Sequence, residues 1–116
     1  MLKKYKNIVG KLKDATSKQI LPWNKTNREN EYEAVIGENS VSIRHHYNKE
    51  NDQDGEYVSL ILWDRFGDVV SELRAIPSGF DYIDLYDLFL AAKGASDRAE
   101  TTLDELIADI SKISET

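Results

Sequence analysis

His45 and His46, the chain's two histidines, are the first residues to weigh for metal binding or general-base chemistry. They sit in Val41-Ser42-Ile43-Arg44-His45-His46-Tyr47, a run that alternates with period two. Adjacent side chains of a strand leave opposite faces, so this pair cannot ligate one ion together. No H-x-x-x-H or Glu-x-x-His spacing surrounds them, and a metal site needs several converging ligands. They read as strand histidines, for which pH sensing is easier to support than catalysis. The segment Glu50-Asn51-Asp52-Gln53-Asp54-Gly55-Glu56 places acids at alternate positions before a glycine, as a calcium loop does. Counting from Glu50, however, Ile61 stands where the bidentate glutamate belongs, so the segment reads as a solvated hairpin loop.

Asp81, Asp84 and Asp87 step by three residues along one side of an expected helix, an arrangement that could serve paired acid and base work. The first two also suit a helix N-terminus electrostatically. No phosphate-binding loop, Gly-x-Ser-x-Gly elbow or second acidic cluster joins them. Lys3, Lys4, Lys6, Lys11, Lys13 and Lys18 form the remaining candidate, a basic helix that could meet an acidic partner, a phosphate backbone or an anionic membrane. The alternative is the solvated face that any helix packed on a sheet requires.

These residues need elements to position them. Leu2, Tyr5, Val9 and Leu12, with Ile8 and Ala15 beside them, recur at helical spacing and predict an amphipathic helix over residues 2 to about 19. Pro22 ends it before Leu21-Pro22-Trp23, with Trp23 as an anchor over the core. Residues 24–30 are polar and read as a linker. From Glu31 the period becomes two: a hairpin runs through Tyr32, Ala34, Ile36, Val41, Ile43 and His45, turning at Gly37-Glu38-Asn39. Tyr57 to Trp63 is apolar on both faces and predicts a strand that is central or covered on both sides. Asp64-Arg65-Phe66-Gly67 turns the chain into a fourth strand over residues 68–75. Short connections make the four strands an antiparallel meander. After Pro77-Ser78-Gly79, Asp81 is expected to cap a helix, with a staple between Phe80 and Leu85, and with Tyr82, Leu85, Tyr86 and Phe89 facing inward. Gly94 weakens or ends that helix, and Thr102 with Glu105 resembles a capping box opening a last one along Leu103, Leu106, Ile107, Ile110 and Ile113. The expected fold is α+β, in the order α-ββββ-α-α, as one domain over residues 1–116.

Composition bounds the function. Residues 1–28 carry eight Lys and Arg against Asp14 alone, and the rest carries seven bases against twenty acids. The split suggests a basic helix set against an acidic body. The overall charge of −6 disfavours nucleic acid as the partner, because phosphate binding needs a basic field over a whole face. No apolar run is long enough to span a bilayer. Lys11, Lys13 and Asp14 interrupt the stretch a signal peptide needs. The absence of cysteine excludes disulfides and thiolate chemistry and fits a cytoplasmic location.

The order of features, a lysine-bearing helix ending in Leu21-Pro22-Trp23-Asn24-Lys25-Thr26, then Tyr32-Glu33-Ala34, Ile61-Leu62-Trp63-Asp64, Gly67-Asp68-Val69-Val70 and Leu85-Tyr86, resembles small bacterial proteins of a helix, Trp, meander, Leu-Tyr-helix pattern. That resemblance implies a bacterial or phage setting and carries no activity or site residues with it.

The expectation is therefore a non-catalytic protein-interaction module, acting as an inhibitor, immunity factor or regulatory adaptor. Its partner is another protein, with a second copy of the chain as a further candidate. Tyr57, Ile61 and Trp63 on one strand face, and Lys4 and Lys11 on the first helix, are the candidate contact residues. No catalytic, cofactor-binding or metal-ligating residue is assigned. The competing expectation is a small ligand-binding domain or enzyme that joins His45 or His46 to Asp81, Asp84 or Asp87.

Overall fold

The computed structural model describes residues 3–47 and 55–114. The chain forms an N-terminal helix, a five-stranded antiparallel sheet and one long C-terminal helix. Helix α1 spans Lys3–Ser17 and buries Val9, Leu12 and Thr16. It ends as Pro22 requires, with Gln19 in the left-handed region at φ 60°. There the Gln19 amide donates to the Thr16 carbonyl and the Ile20 amide to that of Ala15, each at 3.0 Å, so two otherwise orphaned carbonyls are satisfied. Trp23 then folds back under α1. Its Nε1 donates to Thr16 Oγ1 at 2.8 Å, and that hydroxyl donates onward to the Leu12 carbonyl at 2.6 Å. The relay lets the largest core side chain be buried without stranding its polar edge.

The strands are β1 (Asn24–Lys25), β2 (Glu31–Ile36), β3 (Asn39–His46), β4 (Tyr57–Trp63) and β5 (Val69–Ala75), hydrogen-bonded in chain order. The expected meander is thus present with one strand more than the alternation predicts. β1 comes from the polar segment read as a linker: Asn24 pairs with Glu33 and Lys25 with Tyr32. The intervening turn closes on Glu31, whose carboxylate accepts from Thr26 Oγ1 at 2.9 Å and meets Arg28 at 3.4 Å. At the β4–β5 turn Gly67 takes φ 83°, while Asp64 Oδ1 accepts from the amides of Phe66 and Asp68 at 2.9 and 3.0 Å.

Helix α2 spans Tyr82–Ser114 without a break. This corrects the expectation of two C-terminal helices. Gly94 is flanked by Ala91, Ala92 and Ala95, strong helix formers that absorb a glycine's cost of about 1 kcal/mol. Thr102 caps nothing; its hydroxyl donates to the Arg98 carbonyl one turn back at 3.0 Å. The staple is absent as well, since Phe80 is fully exposed while Leu85 is fully buried.

Both helices lie on one face of the sheet. Tyr32, Ala34, Val41, Ile43, Val58 and Leu60 point into the core, where they meet Val9, Leu12, Leu85, Leu88, Phe89 and Ala92. Tyr5 on α1 hydrogen-bonds Ser71 of β5, which ties the first helix to the sheet's far edge. Replacing Thr16 by Val is expected to cost about 1–3 kcal/mol, measured by urea denaturation, because it leaves the Trp23 N–H buried without an acceptor. A loss within about 0.5 kcal/mol would show that the relay is dispensable.

Candidate functional site

Register fixes what the helix-free face presents. Ile61 pairs with Ser42 on one side and Glu72 on the other, and Trp63 pairs with Ser40 and Val69. Tyr57 pairs with His46. By the period of two, all of these leave the face opposite Val58, Leu60 and Leu62. The structure therefore brings Tyr57, Ile61 and Trp63 together on one surface, each half-buried. Of the two alternatives expected for β4 the structure has the first: the strand is central, between β3 and β5, and no described helix covers its second side.

Each ring on this face is held. Trp63 Nε1 donates to Ser42 Oγ at 3.1 Å. His46 stacks on Tyr57 with centroids 4.7 Å apart, and the Arg74 guanidinium lies 4.0 Å from the centre of the same ring. Arg74 in turn reaches Glu72 at 3.0 Å. Val35 and Val69, both exposed, lie on the row that contains Trp63. The result is an apolar patch of Val35, Ile61, Trp63 and Val69 flanked by Glu33 and Glu72, with the row Arg44–Ser59–Arg74 crossing between it and the Tyr57–His46 pair. Arg44 Nε is buried without a hydrogen-bond partner among the described residues. Arg74, Ser42 and Val69 were not picked out from the sequence; strand parity would have placed Ser42 on β3 and Arg74 on β5, while Val69 reaches the Trp63 row through a register shift that parity does not foretell.

His45 faces the other way, as alternation requires, and joins a cluster at the end of the helix-covered side. Its Nε2 lies 2.7 Å from Glu56 Oε1, the same oxygen that accepts from Tyr82. The edges of Tyr86 and Phe89 close around the imidazole at centroid distances of 5.2 and 5.4 Å. The hydrogen bond from Tyr82, then that from His45, holds the Glu56 carboxyl below its ordinary range. Burial, then the carboxylate beside it, raises the Tyr82 phenol. A cavity of about 210 Å³ lies beside the two histidines, lined by Glu29, Asn30, Arg44 and Tyr47.

The structure does not bring the helix carboxylates to this histidine. Asp84 and Asp87 face Lys13 on α1 at 3.9 and 3.7 Å, so the basic helix does meet the acidic body at that point. Both partners are largely solvated, and such pairs contribute little. Lys4 and Lys11 are exposed on α1, away from the sheet face. Glu56, missed in the sequence, was legible in principle: His45 pairs with Val58, and a residue two before Val58 shares its face. Residues 50–54 of the acidic loop lie outside the described residues. Among the described residues no group of three His, Asp or Glu side chains is placed to hold a metal ion, and no helix is long and apolar enough to cross a membrane. In comparison with known protein families, curated proteins and solved structures, the chain matches none.

Because Glu56 titrates lower in the folded chain than in the unfolded one, its contribution to stability is complete above the unfolded pKa and is lost as pH falls through the folded one. Its side chain is 31% exposed, which limits the effect to under about 1 kcal/mol. Glu56→Gln should therefore destabilise at neutral pH, and the deficit should shrink as pH falls below the ordinary glutamate range in urea titrations across the range. A difference that does not change with pH would contradict this assignment.

Proposed function

We propose that the protein is a non-catalytic interaction module that binds another protein through the helix-free face of its sheet. The observation that carries this reading is the joint placement of Tyr57, Ile61 and Trp63 on that face, with Trp63 and Tyr57 already fixed by Ser42, His46 and Arg74. Rings immobilised before binding lose little entropy on association. Trp, Tyr and Arg are also the side chains that most often dominate binding energy. A rim carrying both acids and arginines selects a partner of mixed charge rather than a polyanion. The setting that fits is bacterial or phage and cytoplasmic, with the module acting as an inhibitor, immunity factor or regulatory adaptor. Lys4 and Lys11 supply a separate basic surface for a contact that strengthens as salt falls.

A second reading, a small ligand-binding domain or enzyme, draws on the contact of His45 with Glu56. Asp84 and Asp87 are engaged elsewhere, so it would use Glu56 and Tyr82 in place of the helix carboxylates.

The test is affinity capture from a bacterial lysate with wild type and Trp63→Ala, followed by titration of the captured protein. Trp63→Ala should weaken binding by about 2 kcal/mol or more, roughly 30-fold, while the far-ultraviolet circular dichroism stays unchanged. His45→Ala should leave binding intact. A partner held equally by Trp63→Ala would contradict the face assignment, and a partner lost only with His45→Ala would favour the second reading.

A further inference from the structure

We infer that the C-terminal half of α2 is a self-association element, which pairs antiparallel with the same segment of a second copy. This surface is separate from the sheet face and does not depend on the function proposed for it. The α2 stripe that enters the core at Leu85, Leu88, Phe89 and Ala92 continues at the same helical angle through Ser96, Ala99, Leu103 and Leu106. Its underlying surface does not. From Asp97 to Ile113 every residue is exposed, so the seam runs on past the core that the described residues form. Leu103, Leu106 and Ile107 are 58%, 53% and 62% exposed, and Ile110 and Ile113 extend the spacing. Steps of three and four residues over two heptads are the pattern of a helix–helix seam.

Three observations select a second copy as the occupant. The first is area: five such side chains from each copy remove about 1,000 Å² from water before flanking residues are counted, which is where specific interfaces begin. The second is charge. The overhang from Asp97 to Ile113 carries five acids against Arg98 and Lys112, which disfavours an anionic membrane. Antiparallel pairing with Leu103 opposite Leu106 of the other copy brings Lys112 level with Asp97 while setting Glu100 level with Asp109 and Asp104 level with Glu105, whereas parallel pairing sets all five acids beside their equivalents and pairs no acid with a base. The third is a groove of about 490 Å³ where α2 leaves the body, lined by Leu21, Pro22, Trp23, Ala95 and Ala99. The same register sets Ile110 opposite Ala99, at the edge of this groove. A two-fold axis fills both grooves at once, the closed isologous arrangement commonest among homodimers.

The full chain should sediment as a dimer, at twice its 13.3 kDa. Leu106→Glu should weaken association at least about 100-fold and give a monomer with unchanged thermal unfolding of the body. Glu105→Lys, on the outer side of the same turn, should remain dimeric. Since the chain has no cysteine, Ala99→Cys mixed with Ile110→Cys should form a disulfide between copies. A monomeric wild type, a dimer indifferent to Leu106→Glu, or a failure of that pair to cross-link would each overturn the proposal. So would a wild type that stays monomeric while its overhang binds neutral vesicles or a different protein.

Discussion

The packing of Leu85, Leu88, Phe89 and Ala92 against Tyr32, Ile43, Val58 and Leu60 is the contact on which everything else in this fold depends. A five-stranded sheet must bury at least one face, and the first half of α2 supplies the cover while α1 wedges beside it. Each fully buried leucine or phenylalanine in that layer is worth about 1.5–3 kcal/mol, which exceeds any surface ion pair the molecule makes. The Lys13 contacts with Asp84 and Asp87 follow from this packing and do not create it. The Trp23–Thr16–Leu12 relay then seals the corner where the chain passes from α1 into the sheet.

Two consequences of that one-sided cover set the character of the surface. One is that β4, whose sequence is apolar on both sides, keeps Tyr57, Ile61 and Trp63 facing away from the core. Exposed strand faces in small proteins usually carry polar residues, so an aromatic row there costs solubility and calls for a role. The other is that a helix of 33 residues is about 50 Å long, more than the sheet can cover. The long dimension of the molecule is 57 Å, and its acidic, leucine-bearing end stands clear of the body.

Much of this was legible in the sequence, and what was not has identifiable physical causes. Period-two alternation located β2 and β3, and three- and four-residue spacing located α1, because both patterns report a single buried face; β4 showed as an apolar run and β5 through the turn that precedes it. Asn24-Lys25 carries no alternation, so β1 is specified by its pairing partners and by the turn that Glu31 ties down, not by its own side chains. Gly94 and the Thr102–Glu105 spacing are genuine breaker and cap signals, overridden by neighbouring alanines and by a hydroxyl that bonds back into the helix. Trp63 illustrates a different limit: a strand apolar on both faces does not say which neighbour covers it. Of the histidine chemistry, alternation correctly parted His45 from His46. The partner of His45 is Glu56, the residue just before β4, which the sequence offered only as the end of a loop.

One face of the sheet is left open by the helices, and the two tryptophans of the chain report on opposite sides. Acrylamide quenching of single-tryptophan variants tests this directly. With Trp23→Phe, emission from Trp63 should be quenched steeply, and with Trp63→Phe, emission from Trp23 should be shielded, since that ring is 2% exposed. Equal shielding of the two would mean that something covers Trp63 in the isolated protein, and would contradict a sheet covered on one face alone.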